Sequence, residues 1–150
     1  LAGSDGRAQR PDQWHVTLEF LGDVAAERLP LVRAAAAEVT ADPFDVRFDS
    51  VALWRRAQVL CLEASATPAP LSSLLLQLRA ALAARGFDPE RRPFRPHVTL
   101  ARKVASASPG PLTHAIVWPA ESFALVKSVT GPAGSRYEPL DWWNLLGRRD

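Results

Sequence analysis

At 150 residues the chain is the length of one domain and can bury a single sizeable core. With 47% hydrophobic and 23% charged residues and no apolar run of bilayer length, it excludes a membrane-spanning helix; its single cysteine, Cys61, excludes an internal disulfide. The net charge of +2 is close to neutral, yet Arg91, Arg92, Arg95, Arg102 and Lys103 cluster in one stretch, which can attract phosphate locally or form a solvated basic surface.

The first thirteen residues are polar, without period, and read as a loop. They lack the charged-then-apolar order of a secretory signal, so a cytoplasmic location is expected. Trp14 to Leu21 alternates, with Val16, Leu18 and Phe20 on one face and His15, Thr17 and Glu19 on the other, as in a half-buried strand ended by Gly22-Asp23. Leu29, Val32, Ala36 and Val39 recur at helical spacing, and Pro30 places the helix start later than residue 25. Asp42-Pro43 stops that helix. Phe44–Leu53 and Gln58–Glu63 read as a strand pair joined near Trp54-Arg55-Arg56. Within the second, Cys61 reads as a small buried hydrophobe rather than a nucleophile.

A proline-rich turn leads into Leu71–Ala84, the clearest helix, with a Leu71, Leu74, Leu75, Leu78, Leu82 stripe and Gly86 at its C-cap. Arg91 to Pro96 is stiff and extended, because both prolines push their predecessors out of the helical region. It delivers the chain into an alternating strand, His97 to Ala101. Ser106 to Pro111 reads as a loop, and His114 as a surface or loop histidine. Phe123–Val129 and Ser135–Leu140 read as closing strands around the Gly131-Pro132-Ala133-Gly134 turn. No linker divides the chain. Strands interspersed with two helices point to one α+β domain.

One tetrapeptide occurs twice: His15-Val16-Thr17-Leu18 and His97-Val98-Thr99-Leu100. In a strand, positions i and i+2 share a face, so each histidine would stand beside its own threonine while valine and leucine point into the core. Opening a cyclic phosphodiester needs a base to deprotonate water and, opposite, an acid to protonate the departing sugar oxygen. Imidazole, with an ordinary pKa of about 6.5, suits both roles. Threonine hydroxyls can donate to the non-bridging phosphate oxygens, where charge builds in the transition state. Neither a metal nor a cofactor is required, and three histidines with one cysteine argue against a zinc site of the common kinds. A lone His-x-Thr on a strand is usually a solvated edge. Two identical copies that use two of the three histidines carry more weight.

The two motifs, with Trp14 to Gly22 around the first, Pro93 to Arg102 around the second, and the late segment Gly131 to Tyr137, resemble the 2H phosphoesterase superfamily. Within it the chain is most similar to bacterial and archaeal RNA 2',3'-cyclic phosphodiesterases, also called 2'-5' RNA ligases or LigT-like proteins. The resemblance implies a two-lobed α+β fold, with antiparallel sheets around a central cleft, helices outside, and one motif per lobe. It implies hydrolysis of RNA 2',3'-cyclic phosphate ends to the 2'-phosphomonoester, with His15 as the acid at the 3'-oxygen, His97 as the base, and Arg102 as a phosphate contact. Simple alternation puts Arg102 on the face opposite His97, so a bulge or strand end is expected there. Phe94 is a candidate for stacking a terminal base, with core packing as the other reading. The family usually carries a strand and helix before the first motif; residues 1–150 read as a single 2H phosphoesterase domain lacking them. Either the sequence is partial or another segment fills that part of the sheet; if the first strand is absent, the lobe exposes an unpaired edge.

The expected partner is therefore RNA with a cyclic phosphate end or a related nucleotide, bound by a monomer with no membrane association. Other readings are a phosphodiesterase for 2'-5' linked oligonucleotides or small cyclic nucleotides, a non-catalytic RNA-end binding module, and ligation as the reverse reaction.

Overall fold

The computed structural model describes residues 6–146. Helix α2, Ala69–Ala83, is the element its residues specify most strongly: Pro70 sits in the first turn, where its missing N–H costs nothing, and the leucine stripe is buried throughout. Gly86 follows with φ +77°, the left-handed conformation that closes a helix C-terminus. Helix α1, Leu29–Ala37, follows a 3-10 turn at Ala26–Arg28, and Pro30 again falls in the first turn. Val32, Ala35 and Ala36 of α1 pack against Leu78, Ala81 and Leu82 of α2. The Gln77 amide adds a polar clasp, donating to the Thr40 carbonyl at 2.8 Å while its oxygen accepts from Thr40 N–H at 2.9 Å.

Among the described residues seven strands accompany the helices: β1 (Arg7–Ala8), β2 (Phe44–Trp54), β3 (Val59–Glu63), β4 (His97–Arg102), β5 (Gly110–Ala120), β6 (Ser122–Gly131) and β7 (Gly134–Asn144). Five of them form one sheet in the order β1-β4-β3-β2-β5, with β1–β4, β4–β3 and β3–β2 all antiparallel. Strands β6 and β7 form an antiparallel hairpin. The result is an α+β fold of two antiparallel sheets and two helices.

Contacts divide the chain into two units. The first, Leu1–Thr17, Val46–Thr67 and Phe94–Trp118, contains most of the five-stranded sheet. Leu60, Ala101 and Val104 are its buried cluster on one face, and Phe48 meets Trp118 at 6.0 Å between ring centroids. A side chain at Gly6 would lie 2.4 Å from Val104 Cγ2, so glycine there permits β1 to lie against the end of β4. The second unit, Leu18–Asp45, Pro68–Pro93 and Pro119–Asp150, holds both helices and the hairpin, whose Phe123, Leu125 and Trp143 pack on the α1–α2 core.

Three expectations change. Residues 14–21 form no strand: their alternation describes side chains, but a ladder also needs a neighbouring backbone, and none pairs with them among the described residues. Phe20, expected in the core, is 81% exposed. Strand β5 begins at Gly110, inside what reads as a loop, and carries His114, which is exposed. Its prolines, Pro111 and Pro119, are tolerated because β5 is an edge strand.

Candidate active site

The second motif lies on β4. His97 pairs with Glu63 and Thr99 with Cys61 on β3, so His97 and Thr99 share the face that carries those two side chains. Pairing then skips Leu100: Ala101 faces Leu60 and Arg102 faces Val59. Because Val59, Cys61 and Glu63 alternate onto one face, the bulge at Leu100 turns Arg102 to the same side as His97 and Thr99. Of the two expectations for this interval, a bulge or a strand end, the register shows a bulge.

The first motif is held by other means. Beyond β1, Gln9 N–H donates to the carbonyl of the bulged Leu100 at 2.7 Å. The Trp14 indole N–H returns to the Gln9 carbonyl at 3.2 Å across a 3-10 turn at Pro11–Gln13. His15 follows at once, half-buried, with Thr17 exposed. Downstream, the Glu19 carboxylate, with its side chain 3% exposed, accepts from Arg79 Nε at 2.7 Å and from Glu90 N–H at 2.5 Å. A carboxylate this enclosed needs such partners, and they pin the segment that leaves the motif.

Both imidazoles are held alike. His15 Nδ1 lies 2.8 Å from the Gln13 carbonyl, and His97 Nδ1 lies 2.7 Å from the Arg95 carbonyl, each two residues upstream. A carbonyl oxygen only accepts, so Nδ1 carries the proton in both rings and Nε2 is the nitrogen left for proton transfer. Both histidines and both motif threonines belong to the first unit.

Thr99 shares a side-chain hydrogen bond with Cys61, whose thiol is pushed up to about 11, first by burial. The thiol therefore stays protonated at neutral pH, consistent with a packing role. Of the clustered arginines, Arg91 pairs with Asp88, Arg92 with Glu90 and Arg95 with Glu63. Among the described residues Arg102 and Lys103 have no ion-pair partner, so the basic cluster reduces to the two cations at the end of β4. Phe94 is half-buried and lines a cavity of about 260 Å³ with Ser50, Glu63, Ser65, Thr67 and Arg95. No cluster of three or more metal-ligating side chains occurs among the described residues, and no described helix is long and apolar enough to cross a membrane.

Sequence reasoning did not single out Trp54 or Glu63. The structure brings Trp54 to 4.4 Å from His97 between ring centroids and joins Trp54 Nε1 to Glu63 at 2.7 Å. Only the strand register, which places Glu63 opposite His97, could have signalled them.

Known proteins resemble this chain over most of its length. The family model described as LigT like phosphoesterase matches residues 1–61 and 62–137, so each match holds one motif. The chain is 32% identical to an RNA 2',3'-cyclic phosphodiesterase of Escherichia coli over 145 residues, covering 93% of this chain and 80% of the relative. It is 32% identical to a protein of the same name from Thermus thermophilus over 152 residues, covering 91% and 74% respectively. Its fold is similar to the crystal structure of E. coli LigT complexed with 3'-AMP, with a TM-score of 0.82, 31% identity, and coverage of 95% of this chain and 82% of that one.

Proposed function

The chain belongs to the LigT-like phosphoesterase family, and from that premise we propose that it hydrolyses 2',3'-cyclic phosphate ends of RNA to the 2'-phosphomonoester, with His15 and His97 as its acid–base pair. The observation that carries this reading is the matched restraint of the two imidazoles. Each has Nδ1 committed to a backbone carbonyl, which makes Nε2 the nitrogen that exchanges a proton at the phosphate. In the hydrolytic direction His97 takes a proton from water as its oxygen bonds to phosphorus. The bond from phosphorus to the 3'-oxygen breaks, and His15 protonates that oxygen. The product has a 2'-phosphate and a free 3'-hydroxyl.

Thr17 and Thr99 donate to the non-bridging oxygens. Thr99 also contacts the Cys61 thiol by a side-chain hydrogen bond, which holds its hydroxyl on this face of the sheet. Arg102, turned to this face by the bulge and without an ion-pair partner among the described residues, offers its guanidinium to the same phosphate. Phe94 stacks the terminal base from the wall of the neighbouring cavity. Residues 1–150 act as one catalytic domain, as a monomer in the cytoplasm, without metal or cofactor.

The test is incubation of the purified protein, in EDTA, with a short RNA ending in 2',3'-cyclic phosphate, resolving products by mass and phosphatase sensitivity. A 2'-phosphate product that disappears in His15→Ala and in His97→Ala supports the reading. Near-normal rates in either variant, or a requirement for a divalent ion, would overturn it. Turnover of a cyclic mononucleotide or a 2'-5' linkage, with the RNA end untouched, would move the substrate assignment and keep the acid–base pair.

A further inference from the structure

Glu63 is the cross-strand neighbour of His97, yet its side chain is only 15% exposed. One of its oxygens, Oε1, accepts two hydrogen bonds, from Trp54 Nε1 at 2.7 Å and from Arg95 Nη2 at 2.9 Å. The Trp54 ring in turn lies against the His97 imidazole, 4.4 Å between centroids at a 50° tilt. The Arg95 guanidinium sits 5.8 Å from the indole centroid, and the Arg95 carbonyl meets His97 Nδ1. These contacts close a circuit: His97 to Arg95, Arg95 to Glu63, Glu63 to Trp54, and Trp54 back to His97.

We propose that Glu63 and Trp54 are positioning residues for His97, the carboxylate fixing the indole and the indole fixing the plane of the imidazole. A single hydrogen bond at Nδ1 leaves a histidine ring free to swing, because rotation about its second side-chain torsion is soft. A tilted aromatic neighbour at this distance removes that freedom. A carboxylate suits the bridging place because it accepts from an indole N–H and a guanidinium at once, and the guanidinium balances its charge. Glu63 thereby reaches His97 twice, through the ring that packs on it and through the residue whose carbonyl holds Nδ1. The inference rests on the acid–base reading of His97, but its decisive measurement needs no turnover.

That measurement is the imidazole 15N spectrum of the intact protein, which distinguishes a protonated Nδ1 from a protonated Nε2. In the unchanged protein His97 should show the Nδ1–H form. In Trp54→Ala and Glu63→Ala the His97 signals should move toward a mixture of tautomers while those of His15 stay in place. In parallel, kcat should fall on the order of tenfold or more with KM within about twofold, since positioning is lost and binding is not. Trp54→Phe keeps a ring but loses the hydrogen bond to Glu63, so its kcat should fall between Trp54→Ala and the unchanged protein, and Glu63→Gln should fall between Glu63→Ala and the unchanged protein. An unmoved His97 tautomer with kcat within twofold in the alanine variants overturns the proposal. If an alanine variant fails to fold, Trp54→Phe decides, because it removes the hydrogen bond to Glu63: an unmoved His97 tautomer in that variant, with kcat within twofold of the unchanged protein, also overturns the proposal. An unreactive RNA end with a His97 tautomer that shifts as expected would instead count against the proposed activity alone.

Discussion

The same tetrapeptide, His-Val-Thr-Leu, is built into this molecule in two ways. At residues 97–100 it lies in a ladder, with His97 and Thr99 aimed by pairing to β3. At residues 15–18 it pairs with no strand among the described residues and is aimed by side-chain and turn hydrogen bonds on either side. Identical local sequence therefore does not decide between strand and irregular backbone; the available partner does. What the two copies share is smaller than a secondary-structure element: a carbonyl two residues upstream that claims Nδ1. The comparison teaches that the restraint on the ring is common to both sites, whereas the platform beneath it differs.

That comparison can be broken most sharply at the histidines. Each of His15→Ala and His97→Ala should cost about 10²–10⁴-fold in kcat, with the double variant little worse than the poorer single one, as for groups acting as a unit. A purely additive double variant would mean that the two copies work independently. Next come the hydroxyls. Thr17→Ala and Thr99→Ala should each lose up to about 10²–10³-fold. Comparing their kcat values tests whether the irregular platform aims its threonine as well as the paired one.

The stability of the two platforms should also differ. Glu19→Gln removes the carboxylate that holds Arg79 and Glu90 N–H, and should cost about 1–3 kcal/mol in urea unfolding. It should speed amide hydrogen exchange in residues 16–21 while leaving 97–101 protected; equal acceleration in both would show that the segments share one restraint. The smallest effect concerns Cys61. Its thiol is raised above the ordinary value of 9.0 to about 11, so the native state favours the protonated form. The resulting stabilisation is complete below about pH 9 and fades as pH rises toward 11. Stability of Cys61→Ala should lack that decline, and native Cys61 should react with a thiol reagent at pH 8 only as fast as the protein unfolds.

Much of this was legible before the structure. Helix α2 announces itself because five leucines at helical spacing agree with Pro70 at its start and Gly86 after its end. The β2–β3 hairpin follows from two apolar runs around a charged turn. A bulge or strand end before Arg102 is expected only because the family resemblance makes Arg102 a phosphate contact, and the strand register places the bulge at Leu100. Strand β5 was hidden because its half-buried residues Leu112, Ala115 and Trp118 recur every third position, and because prolines sit near both ends. An edge strand bears few of the constraints that write a period-two pattern. The Trp54–Glu63–Arg95 circuit was invisible for another reason: its members lie up to 41 positions apart, and only cross-strand register assembles them.

The bulge at Leu100 gives the chain a counting rule. With one residue left unpaired, an odd interval between His97 and Arg102 ends on the same side of the sheet, where an unbroken ladder would need an even one. Deleting Leu100 would regularise the pairing and shorten the interval to four, so that side is kept; but the Gln9 amide would lose the carbonyl that anchors the approach to His15. A deletion that looks silent in the second motif would thus be paid for in the first, and the two copies of the tetrapeptide inherit insertions and losses jointly.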